Sequence, residues 1–245
     1  MEGLFLEKLS PLLDELKDGS LVALLTMTGS CCPVTRAHCM AFECSRQMLL
    51  GEIEREHHGR SKRPRVNYEA KKNEHFEEVL GLLSLNNEQK VCKKMRGKGM
   101  PSISYEDRAH LVQLATADVP WMSFNPMREQ DAAKSIQLKW PNLRFIRYEL
   151  NGADDVCRFA KWRWCSPSRR FITMGRPHFT AEVIKGATRA QVQVNGEYFI
   201  LGRELPDISS TAVRAALREG NRKHISQMLH PLVAKWLINC GIYSV

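Results

Sequence analysis

Apolar and polar positions follow two periods along this chain. Residues 1–19 set Leu4, Leu9, Leu12 and Leu16 at three-to-five-residue spacings and close on Asp18-Gly19, which predicts an amphipathic helix and its stop. Ser20 to Met27 is a short apolar run followed by Gly29-Ser30, the pattern of a buried strand and its turn. Ala37 to Leu50 returns to the helical period. Further strands are predicted at Val79–Leu85, Trp121–Phe124, Leu143–Leu150, Phe171–Met174 and Glu197–Leu201. Helices are predicted at Ser104–Ala117, Arg128–Trp140, Thr211–Arg218 and Leu232–Asn239. Strands alternating with helices point to βαβ units, so the fold class is α/β, a parallel sheet flanked by helices. The ligands of such sheets sit beyond the carboxyl ends of the strands, so functional residues are expected just after them.

One segment breaks the pattern. Glu52 to Lys72 is dense in charge and holds His57-His58 and the run Arg60-Ser61-Lys62-Arg63-Pro64-Arg65; residues 51–76 read as an exposed, mobile insertion. The remainder of a 245-residue chain with 43% hydrophobic residues suffices for one sizeable core, and a single domain over 1–245 is expected. No apolar run is long enough to span a bilayer, and Met1 to Lys17 alternates apolar and charged residues unlike a signal peptide. Eight cysteines without a scaffold spacing read as reduced thiols, so an intracellular, cytoplasmic or nuclear location is expected. The formal charge of +9 suits anionic partners without choosing between nucleotides and nucleic acid.

The first candidate chemistry comes after the first strand, in Thr28-Gly29-Ser30-Cys31-Cys32-Pro33-Val34-Thr35-Arg36-Ala37-His38. Gly29 permits a tight turn and a close phosphate approach, and the next helix points free N–H groups at that space. His38, about one turn into the helix, can face phosphates as a donor. An ordinary strand-to-helix turn reads the same way. Zinc binding by Cys31, Cys32, Cys39, Cys44 and His38 lacks a paired ligand spacing and is disfavoured. The second candidate is Asp207-Ile208-Ser209-Ser210-Thr211-Ala212-Val213-Arg214, where N-cap hydroxyls, free N–H groups and an arginine one turn on can cradle a triphosphate.

Gly-Ser-x-x-Pro-x-Thr-x-x-His resembles the first signature of the nucleotidylyltransferase superfamily, and Ile-Ser-Ser-Thr-x-x-Arg resembles its second, which holds the β and γ phosphates. Thr35 and His38 take the places of the two histidines of the superfamily's H-x-G-H; Cys31-Cys32 stands where the family has Phe-Asn. Leu82 to Ala115, with Gly97-Lys98-Gly99-Met100-Pro101, Arg108 and Leu114-Ala115, resembles the eukaryotic-type nicotinamide or nicotinate mononucleotide adenylyltransferases. So do Asn151-Gly152-Ala153-Asp154-Asp155 with Phe159, Trp162 and Trp164, the strand end Met174-Gly175-Arg176-Pro177, and the ending His230-Pro231-Leu232-Val233 with Gly241-Ile242-Tyr243. Where the family carries Thr-Trp-Glu for the pyridine ring, this chain has Pro126-Met127-Arg128.

The resemblance implies a Rossmann-like fold with a small helical C-terminal part at 207–245, and transfer of AMP from ATP to nicotinamide or nicotinate mononucleotide. It implies that Gly29, Ser30, Thr35, His38, Gly152, Asp154, Arg176, Ser209, Ser210, Thr211 and Arg214 bind ATP. Ser30, Cys31, Lys98 and one of Trp162 or Trp164 would bind the mononucleotide, and His38, Lys98 and Arg214 would stabilise charge during transfer. Mg2+ would accompany ATP, with no metal held by the protein's own side chains. A homo-oligomer is expected, a membrane or nucleic-acid partner is not. Two other readings stay open: a related enzyme such as a phosphopantetheine adenylyltransferase, and a basic nucleic-acid-binding protein on a degenerate enzyme fold.

Overall fold

The computed structural model describes residues 2–52 and 75–243, and of residues 2–4 the backbone alone. Of the charged insertion expected at 51–76, residues 53–74 lie outside the described residues. Six strands form one sheet: β1 (Leu21–Gly29), β2 (Glu78–Leu85), β3 (Met122–Asn125), β4 (Arg144–Gly152), β5 (Arg170–Gly175) and β6 (Phe199–Glu204). Their order is β3-β2-β1-β4-β5-β6 and every pair is parallel, the α/β arrangement expected. β1 and β2 are interior strands, buried on both faces along most of their length. That is why they read as continuous apolar runs rather than as alternation.

Parallel neighbours need crossovers, and the helices supply them. The chain steps outward through α2 (Arg36–Leu50) to β2, and through α3 (Glu88–Arg96) and α4 (Tyr105–Ala115) to β3. It returns through α5 (Glu129–Lys139) to lay β4 against the other side of β1, then continues through α6 (Ala153–Phe159) and α7 (Thr180–Arg189). Right-handed crossovers put α2 to α4 on one face of the sheet and α5 to α7 on the other. The strand order reverses between β1 and β4, so a crevice opens at their carboxyl ends.

The main core includes Val22, Leu24, Leu80, Leu82, Ile172 and Ile200. A second cluster joins Val156, Trp162, Phe171, Val183 and Phe199 under α6 and α7. Trp162 sits there against Gly186, where any Cβ would collide with its ring. The C-terminal part adds α8 (Ser210–Arg218), α9 (Arg222–Met228) and α10 (Pro231–Cys240). Among the described residues, no helix is long and apolar enough to cross a membrane.

Helices α3, α6, α7 and α9 escape the periodicity. α3 buries only Val91 and Met95 of its nine residues, α6 has seven residues, and α7 hides among polar positions with Thr180, Val183 and Ala187 buried. The first helix, α1, spans Glu2–Leu13 and ends earlier than its apolar pattern. Asp14 leaves it to accept the Trp140 indole N–H at 2.6 Å, and a carboxylate is unfavourable at a helix C-terminus.

Candidate active site

The turn after β1 is held from below by two buried arginines. Arg108 is fully buried; its Nη1 donates to the carbonyls of Ser30 and Asn86, both at 3.0 Å. Arg214, 3% exposed, donates from Nη1 to the Cys32 carbonyl at 2.6 Å. In a trans peptide the carbonyl and the next N–H point in opposite directions. Drawing the Ser30 carbonyl down therefore turns the Cys31 N–H up, toward the crevice. The bend is tight: Cys31 takes φ +39°, a left-handed conformation costing about 1–3 kcal/mol outside glycine, and a Cβ on Gly29 would meet Cys31 Sγ at 2.9 Å. Burial pushes the Cys31 thiol up to about 12, so it is neutral. Cys31 can serve a mononucleotide through its main chain alone.

Thr35 caps α2, and His38 is the third helical residue. His38 Nδ1 accepts from the Thr35 main-chain N–H at 3.1 Å, with Thr35 Oγ1 at 2.8 Å. This is a capping box with histidine in place of the usual Glu or Gln. An accepting Nδ1 puts the proton of the neutral ring on Nε2. Burial pushes the His38 pKa down to about 4, so the ring is a neutral donor, fixed in orientation and ready without a proton from solvent.

Facing this turn is a cluster of cations. Lys98 Nζ donates to Thr211 Oγ1 at 3.4 Å, and Arg214 Nη2 donates to the same hydroxyl at 2.9 Å. Lys94, which no motif marks, reaches Ser30 Oγ at 3.5 Å. Desolvation lowers the Lys94 pKa, and repulsion from Lys98, Arg214 and Lys90 adds to it. Among the described residues, none of Lys94, Lys98 and Arg214 has a carboxylate partner. Like charges gathered without a counter-charge form a place for an anion.

The structure changes how the second motif works. Ser209 Oγ accepts from its own helix at Ala212 N, and Ser210 Oγ donates to the Pro33 carbonyl at 2.8 Å. Those hydroxyls organise α8 and tie it to the turn, and the first main-chain N–H groups of the helix are the donors that an anion could meet there. Arg214 is likewise engaged within the chain. Its donors hold Cys32 and Thr211, so it supplies buried charge and rigidity.

At the ends of β4 and β5, Gly152 precedes α6 and a Cβ there would meet Asp154 Oδ1 at 2.8 Å. Asp154 pairs with Arg176 Nη1 at 3.0 Å, and Asp207 with Arg176 Nη2 at 2.9 Å. Asp154 and Arg176, both expected to bind ATP, therefore stand together with Asp207, just before the start of α8.

On the α5 side of the sheet lies a cavity of about 420 Å³, lined by Thr28, Ser84, Met127, Glu129, Arg147 and Arg169 among others. Next to Arg169 stands Trp164, which is 43% exposed and has the Arg169 guanidinium 5.2 Å from its ring centre. Trp162, 8% exposed and packed on Gly186, has no free face for a ligand. Of the two tryptophans expected at a pyridine ring, Trp164 is the exposed one. Ser30, Cys31, Thr35, His38, Lys98, Thr211 and Arg214 come together at the crevice. Sequence reasoning missed Lys94, whose signal is its spacing of four from both Lys90 and Lys98, and missed the polar lining of the cavity.

No family model matches the chain. It is 26% identical over 146 residues to a "Probable nicotinate-nucleotide adenylyltransferase" of Caldicellulosiruptor saccharolyticus, an overlap of 57% of this chain and 74% of that protein. In structure it is similar to Plasmodium falciparum nicotinic acid mononucleotide adenylyltransferase complexed with NaAD, with TM-score 0.55 and 15% identity over 90% of this chain and 97% of that one. The same Plasmodium falciparum enzyme complexed with APC gives TM-score 0.52 and 16% identity over 90% and 96%. At these identities the two structures establish a shared fold, a parallel sheet of Rossmann-like order flanked by helices.

Proposed function

We propose that the chain is an adenylyltransferase that moves AMP from ATP onto the phosphate of nicotinamide or nicotinate mononucleotide, releasing pyrophosphate. The observation that carries this reading is the acid-free cluster of Lys94, Lys98 and Arg214 facing the His38 helix and the Ser30 turn at the switch point of the sheet. The curated relative's name and the fold shared with the Plasmodium enzyme support it.

In the reaction an oxygen of the mononucleotide phosphate attacks the α-phosphorus of ATP in line, and the bond to the β-phosphate oxygen breaks. Two polyanions must meet, so the protein's task is positioning and charge neutralisation rather than covalent catalysis. Ser30, the Cys31 N–H, Lys94 and Lys98 hold the incoming phosphate. His38 Nε2–H and the N-terminus of α8 receive charge as it moves toward pyrophosphate. Buried Arg214 contributes its field from beneath. Magnesium belongs with ATP in this reading. Among the described residues no three His, Cys, Asp or Glu side chains gather to cage an ion, so it fits as one carried on ATP's phosphate oxygens and water, where it would neutralise charge.

The test is incubation with ATP, magnesium and each mononucleotide, and separately with phosphopantetheine. Dinucleotide and pyrophosphate in equal amounts from a pyridine mononucleotide support the reading. Turnover of phosphopantetheine alone, or of none of them, overturns it.

A further inference from the structure

Given ATP as the ligand of the crevice, the part of the proposed function on which this inference rests, Arg176 stands apart from the other cations expected at phosphate. Among the described residues, Lys98 and Arg214 have no carboxylate partner, whereas Arg176 has two. Asp154 Oδ2 accepts from its Nη1 at 3.0 Å, and Asp207 Oδ1 accepts from its Nη2 at 2.9 Å. The three side chains come from neighbouring places at one end of the sheet. Asp154 follows β4, Arg176 follows β5, and Asp207 lies between β6 and α8.

The main chain of Arg176 is fixed. Its N–H donates to Thr180 Oγ1 at 3.0 Å, and its carbonyl accepts from that hydroxyl and from the Phe179 and Thr180 N–H groups. Any change of partner is therefore made by the side chain alone. The two carboxylates are unequal partners. Asp154 is packed against Gly152, where a Cβ would meet its Oδ1 at 2.8 Å. The Asp207 side chain is 70% exposed, so water can replace the arginine there at little cost, as exposed ion pairs contribute little.

A guanidinium grips an anion through two parallel N–H groups, and each such edge, Nε with Nη2 or Nη1 with Nη2, includes Nη2. That is the nitrogen Asp207 holds. A phosphate taken up by Arg176 thus meets a second anion at Nη2, where like charges repel. Nε makes no bond among the described residues, so Asp154 can keep Nη1 while Nε and Nη2 turn to phosphate. We propose that Asp207 is a positioning residue that acts through Arg176: it holds the guanidinium before ATP arrives, yields Nη2 to the phosphates of ATP, and takes it back as pyrophosphate leaves. The apparent affinity for ATP and for pyrophosphate is then lowered by the share of molecules in which Asp207 holds Arg176.

The experiment is titration calorimetry with ATP and, separately, with pyrophosphate, both with magnesium and without mononucleotide. It compares the native chain, Asp207→Asn, Arg176→Gln and the double variant, with unfolding curves beside them. Asp207→Asn should lower Kd for each ligand about threefold to fivefold. In the Arg176→Gln background the same substitution should change Kd by less than about twofold. Equal tightening in both backgrounds would mean plain repulsion between Asp207 and phosphate and overturn the assignment. Weaker binding by a folded Asp207→Asn would overturn it too, since Asp207 would then hold Arg176 in place for ATP. If the native chain binds neither ligand, the proposed transfer falls and this inference with it. Binding by the native chain that is unmoved in Asp207→Asn overturns the role of Asp207 alone.

Discussion

The two sides of the crevice handle charge in opposite ways. On the α8 side, Lys94, Lys98 and Arg214 stand together with no carboxylate partner among the described residues, and two buried arginines hold the backbone beneath the Ser30 turn. On the α5 side, acid and base alternate from Thr28 through Glu129, Arg147 and Glu149 to Arg169. The first arrangement is electrostatically incomplete without an anion of high charge. The second is complete in itself and can read only a small difference between ligands. Under the proposed transfer the first wall would hold phosphates and the second would meet the ring, and mutations on the two walls should fail differently.

Arg214→Ala breaks the phosphate wall most severely. It removes the charge, frees the Cys32 carbonyl and releases Thr211. A loss of about a thousandfold in kcat/KM for ATP is expected, the scale of losing preorganised charge stabilisation in a site of this kind. Arg214→Lys keeps the charge but cannot bridge both partners, and should lose about ten- to a hundredfold. If the lysine variant matches the native chain, charge alone matters and the rigid turn does not.

His38→Gln separates the ring from its capping role. Glutamine at this position can still accept from the Thr35 N–H, so α2 keeps its start. Turnover should fall about a hundredfold, because the Nε2–H donor is gone. The same variant tests the pKa. As pH falls below 6.5 the unfolded chain protonates this histidine, whereas the folded chain does not until about 4. Native stability should therefore decline across pH 6.5 to 4 on this account, by on the order of 3 kcal/mol, and be untouched above that window. Thermal unfolding against pH should show a shallower acid slope in His38→Gln. An identical slope would mean that the His38 ring titrates normally.

Lys94→Gln probes how far the phosphate wall extends. Its amino group reaches Ser30 Oγ, whereas that of Lys98 reaches Thr211 of α8, so within the cluster Lys94 is the lysine set against the turn. A rise of about tenfold in KM for the mononucleotide is expected, with KM for ATP nearly unchanged. A rise for ATP instead would place Lys94 on the outer phosphates.

What the sequence disclosed of these walls depended on how local each signal is. The strands were legible because their burial is continuous, and β1, its turn and His38 lie within one stretch of chain. The second motif is likewise one helix start. Lys94 was illegible because a lysine on a mostly polar helix carries the same signature whether it faces solvent or a phosphate, and α3 itself buries only two residues. The ring wall was illegible for a different reason. Glu129 comes from α5, Arg147 and Glu149 from β4, and Arg169 from the approach to β5, so only the sheet's return past β1 brings them together. The motif hydroxyls of Ser209 and Ser210 were legible as residues and not as roles, since their partners are settled by where α8 docks.

The tryptophan pair gives the smallest expected effect on activity and the sharpest test of the ring wall. Trp162 and Trp164 are two residues apart on one short 3-10 turn, Lys161–Trp164, yet face different surroundings. Trp162 fills the second core cluster against Gly186, whereas Trp164 is 43% exposed beside Arg169, which lines the cavity. Trp164→Leu removes an aromatic face from a half-open site, so the fold should hold and the melting temperature should barely move. Stacking on a flat ring contributes on the order of 1 kcal/mol beyond area burial, so KM for the mononucleotide should rise about fivefold, with kcat and KM for ATP close to native. Trp162→Leu should do the reverse: it leaves a void under α7 and costs about 2–4 kcal/mol of stability, while the protein that remains folded keeps its mononucleotide KM. Titrating each mononucleotide against the two variants, with unfolding curves beside them, separates the roles. Should Trp162→Leu be the variant that loses mononucleotide affinity at native stability, the ring would lie under α7 rather than in the cavity, and the division of labour between the two walls would have to be redrawn.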